Sequence, residues 1–108
     1  MKLIFAIVSK DDKSNVNHHL IEAGFSVTRL SSQGGFLQAG NTTLLIGTED
    51  ERVDDCIRII EEYSKTRKEV VAGDMMYGGI GVWDTVPLEV TVGGATIFVV
   101  NVERFEKV

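Results

Sequence analysis

Apolar residues recur along this chain with two periods, and the switches between them mark its elements. From Lys2 to Val8 a β-branched and aromatic run predicts a buried strand. Ser9-Lys10-Asp11-Asp12 breaks the run and supplies capping side chains. Val16, Leu20, Ile21 and Ala23 then recur at helical spacing up to Gly24, which predicts a helix with a glycine stop. Phe25 to Ser32 alternates imperfectly and predicts a second strand. Gln33-Gly34-Gly35 predicts a turn, and Thr42 to Thr48 a third strand. Thr48-Glu49-Asp50-Glu51 has the form of a capping box, followed by Val53, Cys56, Ile57, Ile60 and Tyr63 on one face of a second helix. Lys65 and Arg67 suit the negative end of that helix. Thr66 to Thr85 has no core pattern. Glycines at 73, 78, 79 and 81 sit there among Met75, Met76, Tyr77 and Trp83, and a connection of that length predicts a functional or a disordered segment. The chain closes with Val86 to Val92, a Gly93-Gly94 hairpin signal, and Ala95 to Val102. Pro87 belongs at a strand start or on an edge.

The order strand-helix-strand-strand-helix-loop-strand-strand predicts an α+β fold. It is the ferredoxin-like βαββαβ sandwich with an extra C-terminal hairpin strand, in one domain over 1–108. Helices would cover one face of the sheet. The other face would stay partly apolar and need a partner, which predicts an oligomer.

Composition narrows the function classes. At 44% hydrophobic and 25% charged residues the chain is neither disordered nor collagenous. Glu89 and a Gly-Gly pair interrupt its longest nearly uncharged stretch, Val86 to Asn101, so no membrane-spanning helix is expected. The apolar start after Lys2 is short for a signal peptide, and a single cysteine fits a reducing cytoplasm. A net charge of −5 repels nucleic acids and anionic membranes, yet local donors can still hold a small anion.

The informative stretch runs from Thr28 to Gly47. Gly34-Gly35 can turn successive backbone N–H groups toward one point, a nest suited to phosphate oxygens. Phe36 supplies a flat surface for a base, and the Asn41 carboxamide matches the donor–acceptor edge of adenine. Thr28 adds a hydroxyl, and Gly47 lets a ligand approach the strand backbone. Each part has an ordinary reading taken alone: Gly34-Gly35 as a plain turn, Phe36 as core or interface, Asn41 as a turn residue after glycine.

The run Gly34-Gly35-Phe36-Leu37-x-x-Gly40-Asn41-Thr42-Thr43, the upstream Thr28-x-Leu30 and the closing Gly93-Gly94-Ala95-Thr96-Ile97-Phe98-Val99 resemble the PII-like cyclic di-AMP receptor family over the whole chain. The resemblance implies a homotrimer of ferredoxin-like subunits that binds this bacterial second messenger in the clefts between neighbours. It implies contacts from Thr28, the backbone of Gly35, Phe36 and Leu37, the Asn41 side chain, the Gly47 backbone and the aromatic Phe98. It also implies a short loop at 31–40 and a long mobile one at 66–85. Ser26 joins the expected site at a position where many members carry a basic residue. Asn101 and Lys107 depart from the family pattern in the closing segment.

Other chemistry is weaker. His18 and His19 are adjacent, about 100° apart on a helix, and so are expected on a solvated surface rather than around a metal. Cys56 lies on the apolar stripe and reads as a small core hydrophobe. Gly78-Gly79-Ile80-Gly81 neither follows a strand nor opens a helix, so it is no dinucleotide fingerprint. Lys65-Thr66-Arg67-Lys68 reads as a favourable helix end, with contact to a ligand phosphate or a partner as the lesser reading. The expectation is therefore a non-enzymatic cytoplasmic receptor for cyclic di-AMP, without cofactor or catalytic residues, that relays occupancy through its loops to a partner protein. The alternatives are a PII-like sensor of ATP or ADP, a small hydrolase using Asp74, Asp84 or His18, and a purely structural oligomer.

Overall fold

The computed structural model describes residues 1–30, 40–72 and 87–108. Its elements run β1 (Lys2–Ser9), α1 (Lys13–Glu22), β2 (Ser26–Leu30), β3 (Asn41–Thr48), α2 (Val53–Ser64), β4 (Arg67–Ala72), β5 (Pro87–Val92) and β6 (Ala95–Asn101). Four strands form one antiparallel sheet in the order β2-β3-β1-β6, compatible with the ferredoxin-like plan. The second sheet is two-stranded, β4 against β5.

The core follows from the strand period. Ile4, Ala6 and Val8 of β1 point to the same side as Leu44 and Ile46 of β3, and all five are at most 1% exposed. Val16 and Leu20 of α1 and Cys56 and Ile60 of α2 close over them. The α1 stop is a glycine motif, as the spacing predicts. Gly24 takes φ +94°, its N–H donates to the Ile21 carbonyl at 2.9 Å, and the Phe25 N–H donates to the Leu20 carbonyl at 3.0 Å. Phe25 then enters the core beside Leu20. Arg52 reaches across, donating to the Ala23 carbonyl at 2.8 Å with its guanidinium 4.1 Å over the Phe25 ring.

Several expectations are corrected. Ile21 is 53% exposed, because it sits one residue round the helix from Leu20 and faces outward. No capping-box bond forms at Thr48: a short 3-10 turn over Asp50–Arg52 precedes α2 instead, with the Arg52 N–H donating to the Glu49 carbonyl at 2.9 Å. The amino terminus pairs with the Asp50 carboxylate at 2.9 Å and holds that carboxyl below its ordinary range. Lys65 and Arg67 do not extend α2. Arg67 opens β4 and donates to the carboxylate of Asp12 at 2.9 Å, a side chain only 7% exposed at the start of α1. Residues 67–72, expected in the long loop, are thus a strand; three charged residues followed by three apolar ones hide its period of two.

The Gly93-Gly94 pair does not close a hairpin between its flanking strands, since β5 pairs with β4 and β6 pairs with β1. Both glycines have positive φ, +85° and +89°. The Gly94 N–H donates to the Ser64 carbonyl, and a Cβ on Gly93 would collide with the Lys65 carbonyl oxygen. The pair passes the chain from one sheet to the other close against the end of α2, where side chains would not fit. Pro87 begins β5, where no ladder N–H is lost inside a larger sheet.

Candidate functional site

The antiparallel register fixes which residues share the face that the helices leave open. Ser26, Thr28 and Leu30 of β2 stand opposite Gly47, Leu45 and Thr43 of β3. Leu45 and Gly47 stand opposite Phe5 and Leu3 of β1, which in turn face Phe98 and Val100 of β6. Paired residues point to one side of a sheet, and so do alternate residues of a strand. Five expected site residues, Ser26, Thr28, Asn41, Gly47 and Phe98, therefore lie on the open face. The other three, Gly35, Phe36 and Leu37, are outside the described residues, as are the Gly34 nest, Met75, Met76, Tyr77, Trp83, Asp74, Asp84 and the 78–81 glycine cluster.

One pocket on this face, about 430 Å³ in volume, gathers Ser26, Thr28 and Gly47. Leu3, Leu45 and Met1 line it as well, and Val102 and Phe105 come in from the segment after β6. Gly47 is not required by its backbone, which has no positive φ; a Cβ there would meet only the Met1 methyl, at an ordinary 3.5 Å. What its missing side chain leaves is room in the pocket. Among the described residues, the lining carries two hydroxyls and no acidic or basic side chain.

Asn41 is not in this pocket. It begins β3 and Gly47 nearly ends it, six residues on, so at ~3.3 Å per residue the two stand about 20 Å apart. Just before Asn41, Gly40 has φ +82°; its carbonyl accepts the Lys10 N–H at 2.8 Å, and the Lys10 side chain lies over it. Glycine is needed at that point both for the turn and for the close approach. Phe98 is 49% exposed opposite Phe5, on the same face as the pocket but outside its lining. One subunit thus brings Ser26, Thr28 and Gly47 together and keeps Asn41 apart.

Phe105 is the pocket residue that sequence reasoning missed. It follows the last strand in the charged segment Glu103-Arg104-Phe105-Glu106-Lys107, which has no periodicity from which to assign it a face.

A second cavity, about 420 Å³, lies on the helix side between α2 and β6 and includes Ile57, Ser64, Lys65 and Ile97. It contains none of the expected site residues. On α1, His18 lies 3.4 Å from the Glu22 carboxylate, while His19 stacks on Tyr63 at 3.7 Å, with its Nδ1 2.8 Å from the Asn15 carbonyl. His19 is accordingly half-buried packing between the helices rather than a freely solvated residue. Burial pushes the Cys56 thiol up to about 11, which keeps it protonated within the core at neutral pH.

The family model described as the cyclic-di-AMP receptor matches residues 1–108, the whole chain. The chain belongs to the cyclic-di-AMP receptor family. That membership supports a role in binding and signalling. A solved structure from Pediococcus pentosaceus ATCC 25745, described as a functionally unknown protein, is 40% identical to this receptor-family chain. It aligns over 99% of this chain and 96% of its own, with a TM-score of 0.78. No helix among the described residues is long and apolar enough to cross a membrane.

Proposed function

We propose that this protein is a cytoplasmic, non-enzymatic signal receptor that holds cyclic di-AMP in the seams between neighbouring copies of a homotrimer. The observation that carries the reading is the division of the open face. The hydroxyls of Ser26 and Thr28 and the bare backbone at Gly47 share one pocket, whereas the adenine-matching carboxamide of Asn41 is about 20 Å along β3. A ligand with two adenine ends is met at both ends when Asn41 of one copy lies beside the Gly47 end of the next. The apolar side chains of the same face, including Leu30, Phe98 and Val100, are 39%, 49% and 42% exposed and give that contact its surface.

In this reading the phosphates draw the backbone N–H groups of Gly35 to Leu37 around them, and Phe36 covers a base. Gly40, held to Lys10, is the fixed end from which that segment closes. Closure changes the neighbouring segment 73–86, whose two ends are carried by β4 and β5, and this alters the surface offered to a partner protein. No metal or cofactor takes part. Backbone amides bind the anion without a large positive field, in keeping with a net charge of −5.

Isothermal titration with cyclic di-AMP tests the proposal. Saturable heat with one ligand per subunit, not displaced by excess ATP, is the expected result. Displacement by ATP would favour a nucleotide sensor, and hydrolysis of the ligand on incubation would favour an enzyme. An absence of heat together with no thermal shift at saturating ligand would end the reading.

A further inference from the structure

We propose that Phe105 is a ligand-positioning residue, the aromatic wall on which one adenine of cyclic di-AMP stacks. This rests on the function proposed above and adds to it a residue from the segment after β6. Among the described residues that line the pocket gathering Ser26, Thr28 and Gly47, Phe105 is the one aromatic. The ring is 63% exposed, so a face is left free for a flat partner rather than being consumed by the core.

The segment that carries the ring is tied to the sheet on its upstream side. Just upstream, the Val102 N–H donates to the Met1 carbonyl at 3.1 Å, which ties the segment to the edge of the sheet beside Leu3. Around the ring, Arg104 pairs with Glu106 at 2.7 Å, and both charged side chains are exposed to solvent. The chemistry of the pocket selects which part of the ligand enters. Two hydroxyls offer donors and acceptors to the edge of a heterocycle, the apolar side chains of Leu3, Leu45 and Val102 offer contact to its faces, and among the described lining residues the one cationic group, the amino terminus of Met1, is already paired with Asp50. Gly47 adds no side chain to a pocket of about 430 Å³. A base, and not a phosphate, fits this end of the site.

The test compares Phe105→Ala, Phe105→Leu and Phe105→Trp with the wild-type chain in calorimetric titrations with cyclic di-AMP, with the mass in solution measured for each. Loss of base stacking predicts affinity about 10- to 100-fold weaker for the alanine variant, with its assembly unchanged. Tryptophan should restore binding, and its emission in a Trp83→Phe background should change as ligand is added. Leucine should not restore it, since it is apolar but has no π-face. Wild-type binding together with an unaffected Phe105→Ala variant would overturn this assignment alone. Full rescue by leucine would reduce Phe105 to a plain apolar wall, and an altered mass for Phe105→Ala would make it an interface residue; either result overturns the stacking role. If the wild-type chain itself binds no cyclic di-AMP, the functional reading fails first and this inference with it.

Discussion

The two faces of the four-stranded sheet are made from the same strands yet are put to different use. On the helix side, Ile4, Ala6, Val8, Leu44 and Ile46 are sealed beneath Val16, Leu20, Cys56 and Ile60 of the two helices. On the other side, alternate residues of the same strands stay half-buried or exposed, and hydroxyls, a carboxamide and a glycine stand among the apolar groups. The first pattern stabilises a subunit. The second leaves apolar area uncovered beside groups able to recognise a ligand, which has value only when something else completes it. Stability and recognition are thus separated by one residue of register along each strand.

The largest expected effect breaks the sealed face. Ile46→Ala removes a fully buried side chain and should cost about 2–5 kcal/mol in urea or thermal unfolding. The same truncation one position earlier, Leu45→Ala, should cost the subunit distinctly less and act instead on assembly or ligand affinity. Equal losses of stability for the two variants would contradict the division between the faces. Next comes Asp12→Asn, which leaves Arg67 without its carboxylate and should lower stability by about 1–3 kcal/mol; Arg67 is 41% exposed, and water limits the loss. Exchange of the β4 amides with deuterium should quicken as well, because this pair ties β4 to the start of α1.

Asn41→Ala probes the open face. It should weaken cyclic di-AMP binding by about 1–3 kcal/mol through lost adenine recognition, while leaving the oligomeric mass unchanged. An effect confined to alkaline pH, and absent at neutral pH, concerns the sealed face again. The Cys56 thiol is raised from 9.0 to about 11 on folding, so the folded chain keeps its proton where the unfolded chain has lost it. Stability should therefore fall as pH rises from about 9 to about 11, and Cys56→Ala should flatten that part of the curve in pH-dependent denaturation.

What the sequence made legible was whatever local period or a short motif encodes. Both helices, the sheet strands and the glycine stop after α1 follow from apolar spacing and from the left-handed backbone at Gly24. The open face could also be expected, because the ferredoxin-like order places both helices on one side of the sheet. Long-range pairing was not visible. Nothing local in Arg67–Ala72 announces a strand, since its partner lies in Pro87–Val92 and its charged half resembles a helix end. Gly93-Gly94 looks like a hairpin turn until the partners of β5 and β6 are known to be different strands. At the site, the residue types in Thr28–Gly47 pointed to an adenine nucleotide, but the separation of Asn41 from Gly47 becomes clear only once both are placed on one extended strand. Phe105 carries no periodic signal because it lies beyond the last strand.

The central claim, that the ligand site is shared between copies through the open face, is tested most directly by mixing two defective chains. Asn41→Ala removes one end of the site. Gly47→Val fills the other, at a position where the backbone accepts a Cβ. The two variants are unfolded together, refolded, and titrated with cyclic di-AMP alongside each variant refolded alone. A site built across the seam predicts that the mixture regains roughly a quarter of the wild-type sites, those where an intact Asn41 of one chain meets an intact Gly47 end of its neighbour. Mixed assemblies of the correct mass that bind no more than either variant alone would contradict it, because the two ends would then have to come from a single chain.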